Sequence, residues 1–299
     1  MAPRRLARIL IGPDGRLRPI LRALLYALLA FWVLSSDAFL GPPLERAASA
    51  LHATGLFPAR VTFFASVNLL TALLLTFLFG RYEGRRVDGY GLPLRQAFGA
   101  RFWEGFAIGA ASAALIAAGM LACGGMTVHG LALKGAAIPA ATLAWFGACL
   151  LVGLGEEYLF RGYLLQTLRQ AVGFWPATLL IALWFGADHY FFKPGENLWD
   201  LLGLVAIAIW LSYSVLKTGS LWLAVGYHAA FDFLQLFVIG SKNGSSVPLE
   251  HLLEASFQGA AWITGGELGT EASFFVYPVI VLMFLYLWRR RYAGQRATA

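Results

Sequence analysis

Charged residues are scarce in this chain. Asp, Glu, Lys and Arg make up 13% of the 299 residues, about half of the share that is usual in soluble domains. Hydrophobic residues make up 59%, and no long polar domain interrupts them. A transmembrane β-barrel would show alternating segments of about ten residues, whereas the apolar runs here are continuous. The sequence therefore predicts an all-α, polytopic membrane protein.

Signals of several other chemistries are also missing. The two cysteines, Cys123 and Cys149, lie in apolar runs and indicate neither a disulfide framework nor a paired-cysteine metal site. There is no glycine-rich phosphate loop, and no Ser or Cys lies in a polar cluster of the predicted spans. The net charge of +7 comes largely from basic residues beside apolar runs, so we expect no nucleic-acid partner.

About eight apolar runs are long enough to cross a bilayer as helices. The first is longer than the core of a cleaved signal, so we expect it to be retained. In the third, Gly105 and Gly109 have the spacing that lets two membrane helices approach closely. The predicted spans are 23–40, 61–79, 104–123, 140–170, 175–192, 198–216, 221–239 and 272–288.

The distribution of basic residues predicts the orientation. If the N-terminus is cytoplasmic, the inside segments hold 18 of the 23 Lys and Arg residues, and the outside segments hold 5. Because cytoplasmic loops carry the excess of Lys and Arg, we expect both termini to lie in the cytoplasm. The predicted location is a bacterial cytoplasmic (inner) membrane.

These runs divide the chain into five predicted regions. The longest loop contains Leu249, Leu252, Leu253 and Phe257 at helical spacing, which predicts an amphipathic helix on the membrane surface. A lid packed on the bundle is the alternative. The regions are a basic cytoplasmic N-terminus (1–22), three membrane helices with their loops (23–139), a four-helix membrane core (140–239), an extracytoplasmic loop (240–271), and a last helix with a basic tail (272–299).

Three polar groups lie in the predicted membrane core. A charge near the centre of a membrane helix costs roughly 2.5–3.5 kcal/mol on insertion scales, so such groups indicate function. Each group taken alone is also explained by packing, as an ion network, a hydrogen-bonded His, or a His–Asp pair. The groups are Glu156-Glu157-x-x-x-Arg161, Phe185-x-x-x-His189 and His228-x-x-x-Asp232.

Helical geometry separates the two glutamates. Glu157 and Arg161 are four residues apart, so they share a face and can pair. Glu156 is rotated by roughly 100° from Glu157 and is freer to face another helix. By helix rise, His228 lies roughly 10 Å from the cytoplasmic end of its span, while His189 lies roughly 21 Å from that side. We therefore expect a site between the midplane and the cytoplasmic face, although His189 fits that depth poorly.

The chemistry of these side chains favours attack of water on a carbonyl. A buried carboxylate such as Glu156 can act as a general base, and two imidazoles can stabilise an oxyanion. Glu156, His189 and His228 would also suffice to hold a catalytic zinc ion with an open position. The residues favour peptide hydrolysis, and they leave open whether the site is metal-free or holds zinc.

Together the three motifs resemble the CPBP family of intramembrane proteases, which includes the type II CAAX prenyl endopeptidases and bacteriocin-processing and self-immunity proteins. The resemblance covers about residues 140–240. It implies that Glu156 activates water, that His189 and His228 assist as oxyanion partners or metal ligands, and that Glu157, Arg161 and Phe185 support the site. Asp232 departs from the Asn that is common in the prenyl endopeptidases, and an ionised Asp cannot donate a hydrogen bond to an oxyanion.

The resemblance implies an endopeptidase that cleaves a membrane-embedded or membrane-associated peptide or protein within the lipid bilayer. Two other hypotheses use the same buried charges: a non-catalytic membrane immunity protein and a proton-coupled transporter. A carrier is expected to show paired broken helices in two repeated halves, and the sequence shows no internal repeat.

Overall fold

The computed structural model describes residues 10–34, 37–50 and 55–292, and this part of the chain is predominantly helical with one short two-stranded sheet. The predicted all-α, polytopic membrane class is confirmed. The helices are α1 (Pro19–Leu34), α2 (Asp37–Ala50), α3 (Pro58–Glu83), α4 (Ala100–Ala122), α5 (Ala137–Glu157), α6 (Leu165–Val172), α7 (Phe174–Phe192), α8 (Leu198–Thr218), α9 (Trp222–Asp232), α10 (Ala261–Thr264) and α11 (Val276–Arg289), with strands β1 (Met126–Leu131) and β2 (Leu253–Phe257).

Five stretches of the described chain are long and apolar enough to cross a membrane, so the predicted number of eight is not confirmed. The first predicted span, 23–40, is divided between α1 and α2, with residues 35–36 outside the described ranges. Helices α1 and α11 are apolar but shorter than the usual span of about 20 residues. The five stretches are Pro58–Glu83, Ala100–Ala122, Ala137–Val172, Leu198–Thr218 and Trp222–Ile239.

Helix α9 lies at the centre of the bundle, with nine of its eleven residues buried. Small residues in α4 let this helix approach the backbone of α9 closely. A Cβ atom at Gly105 or Gly109 would overlap the carbonyl oxygens of Leu223 and Tyr227, so the close approach predicted from this spacing is present. This packing fixes α9, and with it the depth of His228.

The predicted amphipathic helix in the loop 240–271 is wrong. Residues Leu253–Phe257 form β2, which pairs antiparallel with β1, with Met126 opposite Phe257 and Leu131 opposite Leu253. Leu253, Ala255 and Phe257 are partly buried while the residues between them are exposed. This alternation has the two-residue period of a strand.

The loops gather at two ends of the bundle. At the strand end, loops 55–57, 123–136, 193–197 and 240–275 converge: the Leu249 N–H donates to the Leu56 carbonyl oxygen (2.7 Å). At the arginine-rich end, residues 10–22, 81–101, 169–173, 217–221 and 286–292 converge: the Leu221 N–H donates to the Gly91 carbonyl oxygen (2.7 Å).

Candidate active site

Side chains from all three motifs line one cavity. Glu156 comes from the last turn of α5, His189 from the last turn of α7, and His228 and Asp232 from α9. The cavity has a volume of about 240 Å³ and is otherwise lined largely by apolar side chains. The structure therefore brings together five of the seven predicted site residues around one cavity, the fifth being Phe185.

Glycines in α5 allow this convergence. A Cβ at Gly153 would lie 3.1 Å from the Val225 carbonyl oxygen and 3.3 Å from the His228 Cβ, so α5 and α9 pack closely one turn before Glu156. Gly155 lies equally close to the backbone of Ala65 and Leu69 in α3. Larger residues at these positions would separate α5 from its neighbours and move Glu156 away from His228.

His228 is surrounded by three carboxylates. Its Nδ1 lies 2.9 Å from Glu157 Oε1 and forms a hydrogen bond with it. Its Nε2 lies 3.7 Å from Glu156 Oε2 and 3.6 Å from Asp232 Oδ2. These two distances are too long for direct hydrogen bonds, so one ring nitrogen is fixed and the other faces two carboxylates across a gap.

Glu157 and Arg161 pair as the i,i+4 spacing predicts, with Arg161 Nη1 donating to Glu157 Oε1 at 3.1 Å. Both side chains are completely buried. The bond from Glu157 to His228 was not predicted from the sequence, since it joins residues on separate helices 71 positions apart. Glu157 therefore does more than pack: it connects the buried guanidinium to the imidazole.

Phe185 connects the first motif to the second. The Arg161 guanidinium lies over its ring, 4.9 Å from the centroid, a distance suited to a cation–π contact. The opposite neighbour is the His189 ring, whose centroid is 4.5 Å from that of Phe185. Phe185 is buried, so it holds the imidazole of His189 in place.

The hydrogen bond of His189 fixes which ring nitrogen carries a proton. Nδ1 lies 2.9 Å from the Phe185 carbonyl oxygen, and because a carbonyl oxygen only accepts, Nδ1 must be the donor. This leaves Nε2 as the nitrogen that can interact with molecules in the cavity. No direct contact between His189 and Glu156 is formed by the described side chains, and both reach the cavity from separate walls.

Both helices that carry site carboxylates change geometry at the site. A π-helical segment, Tyr158–Leu164, begins directly after Glu157, and a second, Phe233–Ile239, begins directly after Asp232. Such segments are frequent at functional sites because they shift the side chains of one turn relative to the next. The sequence gives no periodic signal for them, and they were not predicted.

The cavity wall also contains Lys193 and Glu271, which the sequence analysis missed. Their side chains contact each other, and Lys193 Nζ lies 3.9 Å from Glu196 Oε1. Gln235 Nε2 donates to Glu271 Oε2 at 3.4 Å. Lys193 was assigned only to a loop, and its meeting with Glu271, 78 residues away, has no local sequence signal.

A second cavity adjoins the first at Glu156 and His189. It has a volume of about 330 Å³, and its wall includes Asp188 and several large apolar side chains. Phe31 of α1 and Phe192 of α7 border it, with ring centroids 6.4 Å apart and largely exposed surfaces. The remaining lining residues are Leu34, Asn68, Leu159, Phe160 and Trp184.

The cavity extends toward the strand end. Besides the motif residues, its wall includes Leu56, Lys193, Asn243 and Glu271, which belong to strand-end loops or border them. The stretch that carries Glu156, formed by α5, the π-helical segment and α6, has 36 residues, more than the roughly 20 that a bilayer needs. The depth of the site in the bilayer, expected between the midplane and the cytoplasmic face, stays a prediction.

The zinc hypothesis was tested against the side chains present. In residues 10–34, 37–50 and 55–292, no group of three or more His, Cys, Asp or Glu side chains is arranged to hold a metal ion. Glu156, His189 and His228 line one cavity but do not form such a group. These residues therefore do not fit a zinc site in this arrangement, and we derive no step through a metal.

The comparisons with known proteins agree with the motifs. Residues 138–234 match the family model described as Type II CAAX prenyl endopeptidase Rce1-like, and this range contains all three motifs. No curated protein matches the chain. The resemblance predicted from the motifs is thus confirmed, and the membrane core at residues 138–234 is similar to the Rce1-like family of CAAX-type intramembrane proteases.

Proposed function

We propose that this protein is an intramembrane endopeptidase in which Glu156 activates a water molecule. The main support for this proposal is the position of Glu156 in the cavity wall. Its Oε2 forms no hydrogen bond with any described residue, yet it lies 3.7 Å from His228 Nε2. A buried carboxylate oxygen without a protein donor needs another partner, and a water molecule in the cavity that Glu156 lines can supply it.

The proposed reaction uses this gap. Water bound between Glu156 and the imidazoles attacks the carbonyl carbon of a peptide bond, and Glu156 accepts a proton from it. The C–N bond then breaks, the proton passes to the leaving amine, and the products are a carboxylic acid and an amine. The Nε2–H of protonated His228 supports the negative charge that develops on the carbonyl oxygen, and His189 offers its own Nε2 from the opposite wall.

The other polar side chains hold His228 in position. Glu157 accepts the hydrogen bond from Nδ1, and Arg161 neutralises the buried charge of Glu157. Asp232 Oδ2 lies 3.6 Å from Nε2, close enough to stabilise a positive imidazole by charge. In this proposal Asp232 is a positioning residue and gives no hydrogen bond to the oxyanion.

The proposed substrate is a membrane-embedded or membrane-associated peptide or protein. The cavity beside Glu156 and His189 is lined by aromatic side chains and bordered by Phe31 and Phe192, whose rings are exposed on the outside of the bundle. This apolar lining suits a hydrophobic segment that arrives from the lipid. Location in a bacterial cytoplasmic membrane stays a prediction.

The test compares membrane-protein fragments in cells that produce wild-type protein and the Glu156→Gln variant at equal levels. Glutamine keeps the shape of the side chain but cannot take up a proton as a carboxylate does. Glu254→Gln on exposed β2 is the matched control. We expect fragments that disappear with Glu156→Gln and persist with Glu254→Gln. If both variants give the wild-type fragments while inserting normally, the protein is not a protease that uses Glu156.

A chelator distinguishes the metal-free mechanism from the metal-dependent one. Since the described side chains do not gather three metal ligands, we expect the purified protein to keep its cleavage of an identified substrate in 1,10-phenanthroline. Loss of cleavage that zinc restores would overturn the metal-free version and leave the assignment as a protease intact. The non-catalytic and transport hypotheses predict no Glu156-dependent fragments in either condition.

A further inference from the structure

The active-site cavity is closed toward the arginine-rich end. Directly after Glu156, the chain continues through residues whose side chains are almost completely buried. Tyr158 donates to the Val87 carbonyl oxygen (2.6 Å) and Tyr163 donates to Glu83 (2.6 Å), which ties this layer to the arginine-rich end. The buried layer consists of Glu157, Tyr158, Leu159, Arg161, Tyr163, Leu164 and Leu165.

The same cavity reaches the strand end. Lys193 and Asn243 in strand-end loops, and Glu271 in the turn before α11, form part of its wall. The catalytic residues lie near the middle of the bundle, because Gly155 packs on Ala65 and Leu69 of α3, which are roughly 10–17 Å along the helix axis from its strand-end terminus. A peptide that enters from the strand end therefore meets polar loops first and Glu156 at mid-depth.

Basic residues are divided unequally between the two ends. At the strand end, five Lys or Arg residues lie in the loops, in α2 or in the first turn of α3, namely Arg46, Arg60, Lys134, Lys193 and Lys242. At the arginine-rich end there are thirteen, namely Arg16, Arg18, Arg22, Arg81, Arg85, Arg86, Arg95, Arg101, Arg169, Lys217, Arg289, Arg290 and Arg291. Since the end with more Lys and Arg faces the cytoplasm, the strand end faces outward.

We propose that the active site is reached from the extracytoplasmic side, so that its substrates are membrane proteins or peptides whose scissile bond lies in the outer half of the membrane or just outside it. This inference rests on the proposed function for its chemistry. Its geometric part, a cavity that opens at the end with few basic residues and is closed at the other end, stands on separate observations. A cytoplasmic peptide tail would not reach Glu156 through the buried layer.

The orientation is tested by labelling the native thiol. Cys123 is exposed at the strand end, and Cys149 is buried, so a membrane-impermeant maleimide added to spheroplasts should react at Cys123 alone. Lys134→Cys in a Cys123→Ser background is a second strand-end reporter. Lys217→Cys in the same background reports the arginine-rich end, and it should react only after permeabilisation. The reverse pattern would overturn the proposal.

The route to the site is tested with Asn243→Cys in the Cys123→Ser background. Asn243 lines the cavity without belonging to the proposed catalytic machinery. A charged, impermeant methanethiosulfonate added outside should lower the Glu156-dependent fragments in proportion to the labelled fraction, and a reductant should restore them. Lys217→Cys, labelled with the same reagent after permeabilisation, should cleave normally. If complete labelling of Asn243→Cys leaves cleavage unchanged, substrates do not enter by this end.

The two proposals fail in different ways. If Glu156→Gln leaves every fragment unchanged, the protease assignment fails, but the labelling of Cys123 and Lys217→Cys still decides the orientation. If fragments depend on Glu156 while Cys123 reacts only in permeabilised spheroplasts, the protease assignment holds and extracytoplasmic access is overturned.

Discussion

Glu83 and Glu156 are carboxylates in membrane helices of the same bundle, and their surroundings differ in one decisive respect. Glu83 Oε1 accepts hydrogen bonds from Arg22 (2.5 Å) and Tyr163 (2.6 Å), and its Oε2 accepts one from Tyr90 (2.8 Å). Glu156 Oε2 has no hydrogen-bond partner among the described residues. Its side chain is 21% exposed, against 4% for Glu83.

The difference indicates that the Glu83 carboxylate has a structural role and that the Glu156 carboxylate is available for chemistry. The Glu83 carboxylate is saturated by donors from three parts of the chain, so it has little capacity to bind water or substrate and instead connects α1, α3 and the π-helical segment after α5. Glu156 borders a cavity with its charge unpaired by a close donor, a costly arrangement that structural packing alone does not require.

After Glu156 itself, the largest effect is expected at His228. Replacing His228 by Gln removes the ring nitrogen Nε2, which faces Glu156 and in the proposed reaction donates to the oxyanion. The loss of one preorganised donor typically lowers turnover by about 10²–10³-fold. The measurement is the rate at which the Glu156-dependent fragments form. His129→Gln, on exposed β1, should leave that rate unchanged. Wild-type turnover in His228→Gln would remove His228 from the reaction.

The Glu83 cluster should respond in stability and not in catalysis. Tyr163→Phe deletes one of the three donors to Glu83, and a hydrogen bond to a charged group contributes about 1.5–3 kcal/mol. We expect a lower melting temperature in detergent with unchanged turnover per folded molecule. A loss of turnover per folded molecule as large as that of His228→Gln would show that the two clusters are not separate.

A smaller effect is expected at Asp232. Asp232→Asn keeps the size of the side chain and removes the negative charge 3.6 Å from His228 Nε2. We expect turnover to fall by up to about tenfold, which corresponds to ~1.4 kcal/mol in the barrier. A loss equal to that of His228→Gln would show that the carboxylate itself takes part in the chemistry.

The smallest effect concerns pH and Glu196, in the loop between α7 and α8. Burial, followed by the neighbouring Asp200 carboxylate, raises the pKa of Glu196 to about 8, against a lowering by Lys193. Because the folded protein favours the protonated form, the contribution of Glu196 to stability is complete below its unfolded pKa of about 4.3 and is lost as the pH rises to about 8.

Glu196→Gln should therefore reduce the fall in melting temperature between about pH 5 and about pH 9. Glu267→Gln is the control, since Glu267 is exposed and the hydrogen bond from Lys242 lowers its pKa, so it does not titrate in this range. A pH profile of Glu196→Gln identical to that of the wild type would refute the assignment.

The sequence was sufficient for the residues that follow local geometry. Spacing of four along a helix predicted the Glu157–Arg161 pair, and the small-residue pattern at Gly105 and Gly109 predicted a close helix contact, because both depend only on helix periodicity. The motifs also indicated that Glu156 and His228 would meet, and the structure places them 3.7 Å apart.

Features that join distant parts of the chain were not predictable. The Lys193–Glu271 contact, the Tyr163–Glu83 bond and the pairing of β1 with β2 connect positions 78 or more residues apart, and no local pattern encodes them. Within β2, five residues were too few to distinguish the period of two from the helical spacing of the longer segment. The all-α membrane class was thus predictable from the sequence, whereas the contacts that form the strand-end wall of the cavity were not.

One crossed measurement tests the division between the two carboxylates most directly. Wild type, Glu156→Gln and Glu83→Gln are purified in the same detergent, and the melting temperature and the turnover per folded molecule are measured for each. We predict that Glu156→Gln abolishes turnover with little change in melting temperature, and that Glu83→Gln lowers the melting temperature and retains turnover. Retained turnover in Glu156→Gln would contradict the account.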